Sequence, residues 1–181
     1  MMNIKHFYQP TGNTCGPTCL YMVYDYKRNL KMFPKTIKEI EIACGTDWVV
    51  GTPPDRMING MNSLGLDFVE YIHSPKPYEL LKTVIDSKNI PILRTITKGV
   101  PHWIIVSGYI IDEETKAIKY QILDPWQGEI VYDEKSLDEV WVKRQHQFFE
   151  ILNTKKVIID PLTGQTNLRY DQDAIDEDYF L

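Results

Sequence analysis

The sequence has little cysteine: three residues, at positions 15, 19 and 44, an odd number that builds no disulfide framework and agrees with a reducing compartment. No run approaches the ~20 apolar residues of a membrane span. The opening residues, Met-Met-Asn-Ile-Lys-His-Phe-Tyr, lack the apolar core of a signal peptide. The expected location is therefore the cytoplasm, a signal-independent export route being left open. There is no basic excess: 20 Lys and Arg stand against 25 Asp and Glu, a formal net charge of −5. That argues against nucleic acid or an anionic membrane surface as an obligatory partner, since both call for a basic face. Glycine forms no phosphate-cradling loop. Cys15 and Cys19 lie four apart, but no second Cys/His pair has zinc-site spacing, so neither a metal nor a cofactor is expected.

What is present is a core of ordinary size. Hydrophobic residues make up 43% of the 181, aromatics 12%, enough for one globular domain. The first half reads as helices. Turn and cap formers Pro10, Gly12, Asn13 and Thr14 precede a helix from about Cys15 to Arg28, with Thr14 or Asn13 as N-cap and Pro17 in the first turn. Thr36-Ile-Lys-Glu39 is a capping-box pattern for a second helix that Gly45 ends, and Thr52-Pro-Pro-Asp opens a third, running to Gly65. Asp67 to Ile72 alternates like a strand, and Pro77 to Ser87 returns to helix.

The second half reads as a mostly antiparallel sheet: Ile90 to Ile96, Trp103 to Ile111, Ile118 to Leu123 and Glu129 to Tyr132 are short and rich in β-branched residues. Ser136-Leu-Asp-Glu139 signals another capped helix, through Lys143, and Gln147 to Leu152 with Val157 to Ile159 supply closing strands. Residues 161–181 carry five acidic residues against Arg169 and read as an acidic tail, poorly ordered or peripherally docked, outside a domain of residues 1–160.

Cys15 falls at a helix start, among unpaired N–H groups and the positive end of the dipole, where thiolate is favoured over thiol. The same position also suits a buried core cysteine. A cysteine nucleophile needs a base and a group to orient that base. Of the four histidines, at 6, 73, 102 and 146, His102 opens the most apolar strand of the chain. The polar connection Asp112 to Lys116 makes Trp103–Ile111 and Ile118–Leu123 a hairpin. The start of its first strand and the end of its second lie at the same end of the sheet, which brings His102 beside Asp124.

Three stretches together, Gln9 followed by Asn13-Thr-Cys-Gly-Pro-Thr-Cys-Leu20, Pro101-His-Trp-Ile-Ile-Val-Ser-Gly108, and Leu123-Asp-Pro-Trp-Gln-Gly128, resemble the papain-like cysteine peptidases of the C39-like, bacteriocin-processing type, over about Ile4 to Tyr132. The resemblance implies an α+β, papain-like fold, a helical lobe with the nucleophile packed on an antiparallel sheet with the base. It implies Cys15 as nucleophile, His102 as base and acid, Asp124 as orienter, and Gln9 with the Cys15 backbone N–H as oxyanion donors. The expected partner is a peptide or protein substrate. An acyl or peptidyl transferase on the same residues and an inactive binding module are the alternatives. Pro101 stands where the pattern has glycine. Cys19 and Cys44 read as core, and Trp103 and Trp126 flank the proposed base and orienter. The loops Cys44–Pro54 and Ile72–Pro77 are the expected cleft walls. Oligomeric state is not encoded in any of these features.

Overall fold

The computed structural model describes residues 1–28 and 33–153, and the backbone of 158–159 and 166–167. The acidic tail expected at 161–181 lies outside them, apart from the backbone of two residues.

Three helices come first: α1 (Cys15–Lys27), α2 (Ile37–Cys44) and α3 (Pro54–Ser63). The capping box at Thr36 and Glu39 forms as its sequence requires, and Gly45 takes the left-handed conformation that closes α2. The third helix starts one residue later than the cap pattern suggested. Pro53 is its N-cap, and the Thr52 hydroxyl is 2.9 Å from that of Thr46 instead.

Next come β1 (Phe68–Tyr71), α4 (Pro77–Asp86), β2 (Ile90–Thr97), β3 (Val100–Ile111), β4 (Ile118–Asp124), β5 (Gly128–Asp133), α5 (Glu134–Trp141), a single 3-10 turn at Val142–Arg144 and β6 (Phe148–Ile151). Helix α5 is capped by Asp133, whose carboxylate accepts from the Ser136 N–H, and not by Ser136. The helix therefore begins where β5 ends.

The six strands form one antiparallel sheet in the order β1-β6-β2-β3-β4-β5. Ile158–Ile159 does not join it but pairs with Thr166–Asn167 (β7 and β8). Alternation along the strands splits the core in two. Ile92, Trp103, Ile105, Leu123 and Phe149 pack with α1 and α3, while Leu93, Ile104, Val106, Ile122 and Phe148 pack with α4 and α5. Among the described residues no helix is long and apolar enough to cross a membrane.

Two features of this frame position the site. Gly16, next to Cys15, is wedged so that a Cβ there would lie 2.8 Å from Met57 Sδ and 2.9 Å from Thr52 Cβ. Only glycine lets α1 approach α3 this closely. In β3 a bulge between Val106 and Gly108 turns the Ser107 carbonyl out of the ladder, where it takes the Met2 N–H at 2.9 Å. The N-terminal segment is thereby laid along the β3–β4 hairpin and continues to the end at which β4 finishes, where the Gln9 N–H donates to Pro125 O at 2.8 Å.

Candidate active site

Cys15 is the first residue of α1, so its backbone N–H has no intrahelical acceptor. Thr14 is the N-cap residue but makes no side-chain cap; its hydroxyl donates back to Thr11 O at 3.0 Å and accepts the Thr11 N–H at 3.2 Å. The local sequence thus spends its cap former on closing the turn that delivers the sulfur.

The β3–β4 ladder pairs Ile105 with Leu123, so Asp124 follows directly on the last paired residue of β4, and His102 stands three residues before Ile105 at the same end of the hairpin. His102 lies inside β3, opposite Thr95 of β2, whose hydroxyl donates to the His102 carbonyl at 3.1 Å. His102 Nε2 is 2.8 Å from Asp124 Oδ1, and both side chains are buried, 3% and 1% exposed. With Nε2 on the carboxylate, Nδ1 is the nitrogen left for the hydrogen bond that the ring makes with the Cys15 side chain. Cys15, His102 and Asp124 are therefore gathered at one buried point.

The electrostatics follow from that burial. Desolvation works against a charged His102, but the hydrogen bonds to Asp124 and Cys15 and their charges outweigh it, and the imidazole is raised to about 9. Burial likewise pushes the Asp124 carboxyl up, yet the hydrogen bond and charge of His102, the Gln127 amide and the Trp126 N–H together hold it below the ordinary carboxylate value. Burial first, then the charges of Cys15 and Asp124, push the Cys19 thiol well up. Burial and then Glu41 raise Cys44 to about 12. All three cysteines are free. Among the described residues no three His, Cys, Asp or Glu side chains stand together as a metal site.

Gln9 reaches the site through its backbone bond to Pro125. Its side-chain Nε2 donates to Thr11 O at 2.6 Å, which occupies one of the two amide hydrogens, while Oε1 is buried without a partner. Trp126 stands edge-on to His102, centroids 6.1 Å apart, and is half exposed. Trp103 turns the other way, stacking on Phe149 and donating its indole N–H to Thr52 O at 2.7 Å. The Ile72–Pro77 loop sits at the His102 end of the sheet but three strands away, with the His73 N–H on Gln145 O. His146 belongs to a separate cluster, 2.8 Å from Asp138 Oδ1, which also accepts from Tyr78.

Two residues with ties to this chain escaped sequence reasoning. Gln127 grips both oxygens of Asp124, and His6 Nε2 is 2.8 Å from the Asp124 carbonyl. An Asp followed three residues later by Gln in a tight turn was the available signal for the first. Nothing local announces the second.

Several solved structures share the architecture. A putative C39-like peptidase from Bacillus anthracis superposes with a TM-score of 0.61 at 14% identity, covering 85% of this chain and 96% of that one. A double-glycine-motif protease from an AMS/PCAT transporter, in complex with the leader peptide, gives 0.58 at 17%, covering 83% and 93%. The peptidase domain of Streptococcus ComA, a bifunctional ABC transporter involved in a quorum-sensing pathway, gives 0.56 at 14%, covering 83% and 97%. No curated protein matches the chain. At such identities these likenesses speak for the fold alone. The sequence itself matches the model of one family across residues 1–149, from the N-terminal segment through α1, the β3–β4 hairpin and into β6, and by that match the chain belongs to the Peptidase_C39 like family.

Proposed function

We propose that the protein is a cysteine peptidase or amidohydrolase acting through Cys15, His102 and Asp124. The observation that carries this reading is the single buried imidazole that is hydrogen-bonded to a carboxylate through Nε2 and raised by its interaction with the side chain of a cysteine at a helix N-terminus.

In the proposed reaction the Cys15 sulfur attacks a substrate carbonyl, forming the C–S bond. The negative charge moves to the carbonyl oxygen, which the Cys15 backbone N–H and the second amide hydrogen of Gln9 are suited to stabilise. His102, protonated at neutral pH, gives its proton to the leaving nitrogen as the C–N bond breaks. Water, losing a proton to His102, then resolves the acyl thioester, releasing the acid and restoring the Cys15 thiolate beside a protonated His102. Asp124 fixes the ring and stabilises its charged form.

The substrate is a peptide or protein, a reading supported by the family and by the structural relative solved with its leader peptide. We place the peptidase unit at residues 1–160, with 161–181 as an appended acidic tail. Free cysteines and the lack of a membrane-spanning helix among the described residues support a cytoplasmic site of action.

Iodoacetamide labelling followed by peptide mapping tests the mechanism. Cys15 is expected to label at least ~100-fold faster than Cys44, which burial keeps protonated. Cys15→Ser and His102→Ala are expected to abolish peptide cleavage. Equal labelling of Cys15 and Cys44 overturns the proposal.

A further inference from the structure

The connection between α2 and α3 is bound to the nucleophile's own loop. The Asn13 side-chain amide donates to Asp47 O at 3.0 Å, and Gly51 packs on Asn13, whose carbonyl lies 3.6 Å from where a Gly51 Cβ would stand. The connection is rigid. Asp47 and Gly51 exchange both backbone hydrogen bonds at 2.9 Å, and Asp47 Oδ1 accepts the N–H groups of Val49 and Val50 at 2.7 and 3.1 Å. Thr52 anchors the far end through its carbonyl on Trp103. On this fastened turn three consecutive apolar side chains face water: Trp48 is 85% exposed, Val49 68% and Val50 61%.

Such a turn gains nothing for the core, since the side chains that would pack are the ones left out. Its only charged side chain, Asp47, is spent on the turn's own N–H groups and on Arg56 at 3.9 Å. A polar ligand side chain finds no partner at the tip, whereas an apolar one is taken out of water there. Because the backbone is already fixed, little ordering is lost when it docks. On the His102 side stands Trp126, edge-on to the imidazole. Trp126 is held by its N–H on Asp124 Oδ1 at 2.7 Å and lies under the Lys98 ammonium, 4.9 Å from the ring.

We infer that the Trp48–Val50 tip is a specificity wall of the active-site cleft, recognising a bulky apolar side chain of the peptide substrate close to the bond that Cys15 attacks. The inference rests on Cys15 being the nucleophile. It adds that discrimination comes from this turn.

Two thiol-alkylating peptides with the same terminal glycine test it: acetyl-Leu-Leu-Gly and acetyl-Ser-Ser-Gly chloromethyl ketones. Their inactivation rates on the full chain are read by intact mass, each divided by the iodoacetamide rate of the same protein. The wild type is expected to favour the leucine reagent on the order of tenfold, the effect of burying one aliphatic side chain. The double variant Trp48→Ser, Val49→Ser is expected to bring the ratio near unity. Both positions are exposed; a thermal melt checks folding, and Trp48→Gln alone, expected to lower the ratio in the same direction, serves if the double variant unfolds early. An unchanged ratio, or no preference in the wild type, overturns the inference. So does a wild-type dimer that the variant converts to monomer, for the tip is then covered by a second copy. Failure of the thiol chemistry shows separately, as slow iodoacetamide labelling of Cys15 in the wild type.

Discussion

Gln127 holds the Asp124 carboxylate at both ends, its backbone N–H 3.1 Å from Oδ1 and its side-chain Nε2 2.9 Å from Oδ2. Because Oδ1 also carries His102 and the Trp126 N–H, the amide on Oδ2 stops the carboxylate from rotating away from the imidazole. In Gln127→Leu a buried oxygen loses its donor, a loss that costs more than the bond was worth. The expected result is a fall in kcat of roughly tenfold with KM little changed, and a basic limb of the pH–rate profile displaced downward. A purely structural role would lower the titratable active fraction and leave that limb in place.

In the proposed mechanism the limb itself is set by His102. With the imidazole raised to about 9, the acid that protonates the leaving nitrogen is present through neutral pH and is lost as pH rises through about 9. Activity is therefore expected to decline on the alkaline side near that value. Asp124→Asn removes the carboxylate that opposes the cost of burial, so its residual activity should decline at lower pH. A pH–rate profile of the variant that keeps the wild-type limb would show that the carboxylate does not act through the imidazole.

How much of this was legible depended on whether the determining contact was local. The cap at Thr36, the left-handed Gly45 and the β3–β4 hairpin follow from neighbouring residues, and the hairpin alone brought His102 to Asp124. The sheet order was not legible: β6 inserts between β1 and β2 through pairings some 60 to 80 residues apart, such as Ile90 with Ile151, that leave no local pattern. The cap of α5 was misread because Asp133 and Ser136 both suit an N-cap, and the end of β5 decides between them. His6 has no local pattern that announces its partner. Its partner is the Asp124 backbone carbonyl, reached only because the bulge at Ser107 fastens Met2.

Gly16 links the position of Cys15 to packing. Gly16→Ala places a methyl 2.8 Å from Met57 Sδ and 2.9 Å from Thr52 Cβ, closer than side-chain carbons approach. The strain falls on α1 one residue from the sulfur and on the stem of the Trp48 turn. Urea denaturation is expected to show a loss of about 1–3 kcal/mol. Iodoacetamide labelling of Cys15 should slow in the fraction that stays folded, and labelling at the wild-type rate would mean that the helix start tolerates the shift.

The site also contributes to stability in a defined pH window. His102 has a folded value of about 9 against 6.5 for a free imidazole, so the folded state binds its proton more tightly than the unfolded chain does. That difference stabilises the fold fully below about 6.5 and is lost as pH rises through about 9. Asp124 works in the opposite window. Its depressed carboxyl stabilises the fold above its ordinary value of 3.8 and loses that contribution as pH falls through the still lower folded value. Between these limits the contribution of the pair is level. Wild-type stability from urea titrations should therefore hold a plateau from above 3.8 to about 6.5 and fall between about 6.5 and 9. In His102→Gln the alkaline decline should flatten, because the group that titrates there is gone. A variant that retains the full decline would place its origin in another residue and remove the raised imidazole from the account of the site.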